Sequence, residues 1–200
     1  MNKKLGSIIA LILVVALFAG CGSNGGSNSN SGYIQIKGSD TIVNLAQSWS
    51  ETYMENKEGV SISVTGGGSG TGIAAIINNQ VDIANSSRKM KEEEMEQAKN
   101  NGVKPTEIVI AMDGLSVIVN ESNPVKDLTV AEIGAIYRGE ITNWKELGGP
   151  DKEITLYGRQ SNSGTFVYFR DNVVENDYSA KMKRMNGNAQ IVEAIKSDDS

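Results

Sequence analysis

From Tyr33 onward, short runs of alternating apolar and polar residues are followed by stretches with apolar residues every three or four positions. Residues 33–37 (YIQIK) and 60–64 (VSISV) have the period-two pattern of half-buried strands. Between them, Ile42, Leu45, Ala46, Trp49 and Tyr53 are spaced as one face of a helix. Ile73, Ile76 and Ile77 mark a second, short helix, and residues 81–84 a third strand. Residues 89–101 read as a charged, mostly solvated helix. Two apolar runs, 108–112 and 115–119, flank Asp113-Gly114 and form either a tight hairpin or one continuous strand between lobes. Thr129-Val130-Ala131-Glu132 is a capping box that opens a helix through Tyr137. Residues 154–157 are the next strand, and Phe166, Phe169 and Val173 begin another helix. This alternation predicts α/β layers with largely parallel sheets.

Upstream the pattern changes. Lys3 and Lys4 precede an almost unbroken apolar stretch, residues 5–18, which ends in the small residues Ala19 and Gly20 before Cys21. A charged start, an apolar segment of this length and small residues at its end predict a secretory signal over residues 1–20. The stretch falls short of the ~20 residues that cross a bilayer. Leu17-Phe18-Ala19-Gly20-Cys21 resembles a bacterial lipobox, which implies a diacylated Cys21 as the mature N-terminus. Two acyl chains anchor stably where one does not. The stretch 22–32 (GSNGGSNSNSG) has no hydrophobic residue, so 21–32 is expected to be a flexible tether reaching roughly 18 Å from the membrane.

Composition narrows the chemistry. At 39% apolar residues, the 200-residue chain can bury a real core. It has no histidine and a single cysteine, which excludes Ser-His-Asp and Cys-His triads and any Cys/His zinc site. A net charge of −5 speaks against nucleic-acid binding. No metal site or cofactor is expected. The methionines, among them Met90, Met95, Met182 and Met185, are spaced for packing rather than for a soft metal, and Glu92-Glu93-Glu94 reads as a solvated helix face.

The informative chemistry lies at three strand-to-helix junctions: Gly38-Ser39-Asp40-Thr41, residues 66–72 (GGGSGTG) and residues 159–165 (RQSNSGT). Each joins glycine, which admits a ligand close to the backbone, to hydroxyls at a helix start, where N–H groups lack internal partners. One such junction reads most simply as an N-cap and a turn. Three in one chain, the third carrying Arg159 with its planar fork of donors, point to a small oxyanion. No phosphate-binding G-x-x-x-x-G-K-[ST] loop is present. Residues 70–75 fit G-x-G-x-x-A, but the next strand ends in Asn85-Ser86-Ser87-Arg88 with no acidic residue for a ribose.

These junctions, with residues 81–84 (VDIA) and 141–144 (ITNW), resemble the PstS-like phosphate-binding lipoproteins of bacterial ABC importers from about Ile34 to the end of the chain. The resemblance implies a type II periplasmic-binding-protein fold, two α/β lobes with the ligand in the cleft between them. Residues 33–115 would form the first lobe and 116–200 the second. It implies phosphate contacts from Thr41, the backbone of Ile42, Ser69 and Ser87 on one side, and from Arg159, Ser163, Gly164 and Thr165 on the other. It also implies an extracytoplasmic, membrane-anchored monomer that delivers inorganic phosphate to a permease, with no catalysis.

Two departures stand out. Ser87 replaces an aspartate common in the family, and Ser86-Ser87-Arg88 offers donors and a second arginine instead. Asp40 could supply a carboxylate, although its simpler reading is a helix N-cap. The chain also stops at Ser200, shorter than the family, so the second half of the first lobe is expected to lie beyond it. The rival readings are a receptor for sulfate or molybdate, an envelope adhesion or signalling module that kept the fold, and a secreted phosphatase with Ser69 or Ser163 as nucleophile. The last lacks a histidine base.

Overall fold

In the computed structural model the described residues are 32–200, and they form one compact unit. The expected leader, the lipidated Cys21 and all but the last residue of the expected tether lie outside them.

The alternating strands pair as their pattern demands. β1 (Gly32–Gly38) is the middle of a three-stranded parallel sheet, between β2 (Val60–Thr65) and β3 (Ile83–Asn85). Ile34 lies opposite Ile62, and Ile36 lies between Val64 and Ile83, so the apolar positions stack across the sheet. Parallel neighbours require crossovers, and helices supply them: α1 (Val43–Asn56) and α2 (Ser69–Ile77), followed after β3 by α3 (Glu92–Asn100). Ile73 and Ile77 of α2 and Ala98 of α3 form the core here, with Met90 and Val103 against it.

A second core lies further along the chain. It gathers Ile136 of α4 (Val130–Arg138), Leu156, Phe166 and Met182, and the Tyr137, Phe169 and Tyr178 rings pack beside it. The predicted capping box is present: Thr129 Oγ1 accepts from the Glu132 N–H while Glu132 Oε2 accepts from the Thr129 N–H. The ITNW stretch is structural. Asn143 caps a single 3₁₀ turn (Trp144–Leu147) and Trp144 is buried. β4 (Tyr157–Arg159) and β5 (Lys183–Met185) form a two-stranded parallel sheet, with α5 (Gly164–Phe169) leaving the end of β4 and α6 (Asn188–Ser197) following β5. Among the described residues, no helix is long and apolar enough to cross a membrane.

Three expectations change. Residues 108–112 and 115–119 form neither a hairpin nor a laddered strand, and Ile108 and Met112 remain 77% and 92% exposed. An apolar run becomes a strand only where another strand supplies hydrogen-bond partners, and among the described residues none lies alongside it. The strand expected at 154–157 begins only at Tyr157, because the Ile154 N–H is drawn instead to the Thr142 carbonyl. On α1 the apolar face is only partly covered: Ala46 is buried, whereas Leu45, Trp49 and Tyr53 are about half exposed.

Candidate functional site

The three strands of the first sheet run parallel, so their C-terminal ends share one edge, and the loops leaving that edge are 39–42, 66–68 and 86–91. Crevices at the carboxyl ends of parallel strands are the usual ligand positions in α/β sheets. The loop leaving β4, residues 160–163, packs directly onto this edge. The Asn162 carbonyl accepts from the Gly70 N–H at 2.8 Å, and the Asn162 amide donates to the Gly67 carbonyl at 2.8 Å. The three junctions picked out by their composition therefore meet, although they lie far apart in the chain.

Each expected contact residue has a definite place in this meeting point. Thr41 Oγ1 and Thr165 Oγ1 face one another at 3.3 Å. Ser69 is completely buried, and its Oγ accepts the Ser87 N–H at 3.0 Å. Ser87 Oγ is hydrogen-bonded to Ser39 Oγ, and Ser39 is itself buried. Ser163 is buried at the N-cap of α5 and makes no side-chain capping bond. Gly164 sits so close to Ser69 that a β-carbon there would lie 2.6 Å from Ser69 Oγ, so only glycine fits. Ile42 is the N-cap of α1, next to Thr41. Thr41, Arg159 and Thr165 also line a mostly apolar cavity of about 310 Å³; Ser69, Ser87 and Ser163 are packed in the contact between loops instead.

Among the described residues, Arg159 is the cation of the cluster, and it is 4% exposed. One terminal nitrogen donates to Asp40 Oδ2 at 2.7 Å and to the Asn186 carbonyl at 3.2 Å, and the other donates to Asn188 Oδ1. Its Nε is buried with no partner among the described residues. A buried donor without a partner is costly and calls for an explanation, such as a guest that it is built to meet. Burial lowers the guanidinium below its ordinary pKa, and the Asp40 charge opposes that shift. An arginine nonetheless stays charged at neutral pH.

Residues 23–199 match the family described as the PBP superfamily domain. The chain belongs to the PBP superfamily. It is 31% identical over 179 residues to the phosphate-binding protein PstS of Pseudomonas aeruginosa, covering 82% of this chain and 55% of that one. It is 29% identical over 188 residues to PstS of Staphylococcus saprophyticus, covering 92% of this chain and 59% of that one. The chain thus spans little more than half the length of these curated relatives. Its backbone superposes with a TM-score of 0.75, at 34% identity, on a Clostridium perfringens protein assigned as a phosphate ABC transporter substrate-binding protein and solved with bound phosphate; 84% of this chain and 67% of that one are covered. A Vibrio cholerae ABC-type phosphate transport receptor gives 0.62 at 29% identity, with 84% and 68% covered. The type II PBP fold expected from the sequence is the fold of this chain.

Within that PBP fold, three sequence expectations about charged groups are overturned. Asp40 is not the N-cap of α1; Ile42 holds that position, and the Asp40 carboxylate bridges the Gly67 N–H at 2.8 Å and Arg159. Arg88 does not offer a second cation to the cluster. Its guanidinium is held by both carboxylate oxygens of Glu94, at 2.7 and 2.8 Å, and by the Lys89 carbonyl. Glu94 is in turn not a solvated residue of α3: it also caps the helix by accepting the Lys91 N–H. Sequence reasoning missed Ser39, Asn162, Asn186 and Asn188. Ser39 and Asn162 stood within the flagged junctions, but Asn186 and Asn188 gave no local signal.

Proposed function

We propose that this chain captures inorganic phosphate in the cleft where its three junction loops meet and hands it to the permease of an ABC importer. The bound anion contacts Thr41, Ile42, Ser69 and Ser87 from one side and Arg159, Ser163, Gly164 and Thr165 from the other. The observation that carries this reading is the convergence of hydroxyls and loop backbone on a buried arginine whose Nε has no partner. Its support from relatives is that the curated proteins the chain resembles are named phosphate-binding, and that a similar structure holds phosphate. The protein acts as a receptor rather than a catalyst. In this reading residues 33–115 and 116–200 are its two lobes, and closing them over the anion removes water and strengthens each hydrogen bond. Cys21, acylated, holds the monomer outside the cytoplasmic membrane, within reach of the permease.

Isothermal titration of the purified protein with phosphate, sulfate and molybdate is the direct test. Saturable 1:1 heat with phosphate is expected. Silence with all three ends the reading, and a stronger response to molybdate than to phosphate redirects it to another oxyanion.

A further inference from the structure

We propose that Asn186-Gly187 is a self-modifying site: the Gly187 nitrogen attacks the Asn186 side chain, and the isoaspartate that results sets a second carboxylate against Arg159 and weakens the anion cluster. The chemistry stands on the turn alone, and its effect on phosphate rests on the function proposed above.

Two Asn-Gly pairs lie among the described residues, and they form an internal contrast. Asn101-Gly102 ends α3 with both reacting groups held. The Asn101 side-chain nitrogen donates to the Ile77 carbonyl at 3.0 Å, and the Gly102 N–H donates to the Lys99 carbonyl at 3.0 Å. Asn186-Gly187 joins β5 to α6, and Asn186 is exposed. Asn186 makes its contacts through the main chain: its N–H donates to Gln190 Oε1 at 2.9 Å, and its carbonyl accepts from Arg159 at 3.2 Å. Among the described residues, neither its side-chain amide nor the Gly187 N–H has a hydrogen-bond partner. Gly187 has no β-carbon to shield its nitrogen, and the space where one would stand is open.

The reaction balances with water as the sole co-reactant. The Gly187 nitrogen bonds to Asn186 Cγ, the Cγ–Nδ2 bond breaks, and ammonia leaves with the proton of the Gly187 N–H, closing a cyclic imide. Water then opens the ring at either carbonyl carbon. Opening at the main-chain carbon routes the chain through the former side chain, and the carbonyl that Arg159 holds becomes a free carboxylate. Asp40 is already bound to the same guanidinium nitrogen at 2.7 Å, so one cation then faces two carboxylates. The methylene added to the main chain also displaces Asn188, whose Oδ1 accepts from the other terminal nitrogen. Modifications that change charge act through ordinary electrostatics. An anion approaching the open Nε is then repelled rather than drawn in.

The test is to age the purified protein in warm, mildly alkaline buffer and to sample it over days. Peptide mapping by mass spectrometry follows each asparagine, and calorimetry follows phosphate. The expected result is conversion of Asn186 roughly tenfold faster than Asn101, and roughly tenfold weaker phosphate binding by the converted fraction. Gly187→Ala, at a φ of −146° with room for a β-carbon, should start at wild-type affinity and keep it while Asn186 stays intact. Asn186→Gln, whose longer side chain closes a larger ring, is the second arresting variant. Asn101 converting as fast as Asn186, or Asn186 converting with phosphate affinity unchanged, overturns the proposal. Fresh protein silent to phosphate overturns the phosphate reading, while the two conversion rates still decide the modification, so the two failures are distinguishable.

Discussion

Of the arginine–carboxylate pairs among the described residues, the two with the most buried side chains do different work. Arg88 and Glu94 are six residues apart and joined by a two-pronged contact, with side chains 15% and 18% exposed. Every purpose of that pair is local: it ties the loop after β3 to the first turn of α3, where Glu94 also caps the helix. Arg159 and Asp40 are joined by one contact over 119 residues, and Arg159 keeps a buried donor unspent. A fully matched pair makes structure. A pair left incomplete in a dry site is poised for something else, and the contrast locates the candidate site more sharply than charge alone could.

Breaking the second pair should have the largest effect. Arg159→Ala strands the Asp40 carboxylate among buried loops, and removing one partner of a buried pair costs about 3–5 kcal/mol. Asp40 retains the Gly67 N–H and some solvent, so a loss near the lower end, about 3 kcal/mol, is expected in urea unfolding. The same variant should bind phosphate roughly 10- to 100-fold more weakly, the value of one hydrogen bond to a charged group. Unaltered stability would mean that the pair does not persist in solution.

The contact between loops can be broken without touching a charge. At Gly164 an added methyl would fall 2.6 Å from Ser69 Oγ and 3.0 Å from Ser87 Cβ. Neither neighbour can retreat easily, because Ser69 is fully buried and Ser87 is bonded to both Ser69 and Ser39. Gly164→Ala should therefore cost about 2 kcal/mol by overpacking and lower phosphate affinity with it. Calorimetric unfolding and titration on the same sample check both. A variant of wild-type stability and affinity would show that the loops are farther apart than they are here.

What could be read from the sequence, and what could not, follows from how far information travels along a chain. Strands β1 and β2, the Thr129–Glu132 capping box and the glycine-hydroxyl junctions are all declared by residues within a few positions of each other. The partner of Arg159 is not, since nothing near residue 159 names Asp40. Asp40 was misjudged as a cap because α1 starts at Val43, too far along for its side chain to serve, while the glycines of the next junction bring the Gly67 N–H to it instead. Glu94 was hidden in a run of three glutamates, of which only geometry distinguishes the one that faces Arg88. Residues 108–119 have the composition of strands, but composition cannot supply a pairing partner.

The smallest expected effect isolates the matched pair. Arg88 lowers the Glu94 carboxyl below its ordinary value of 4.5, mainly through their hydrogen bonds, with the Lys91 N–H assisting and burial opposing. A carboxylate whose pKa is lower folded than unfolded adds stability that is complete above about pH 4.5 and is lost as pH falls through the depressed folded value. Glu94→Gln should remove that contribution, costing about 1 kcal/mol at neutral pH, and flatten the acid limb of the stability curve. Because Arg88 lies outside the cluster around Arg159, phosphate affinity should be unchanged. Denaturant midpoints between pH 3 and 7, with one titration at neutral pH, separate the two pairs: a Glu94→Gln variant that also lost phosphate would mean that the loop after β3 needs Arg88 to hold Ser87 in the site.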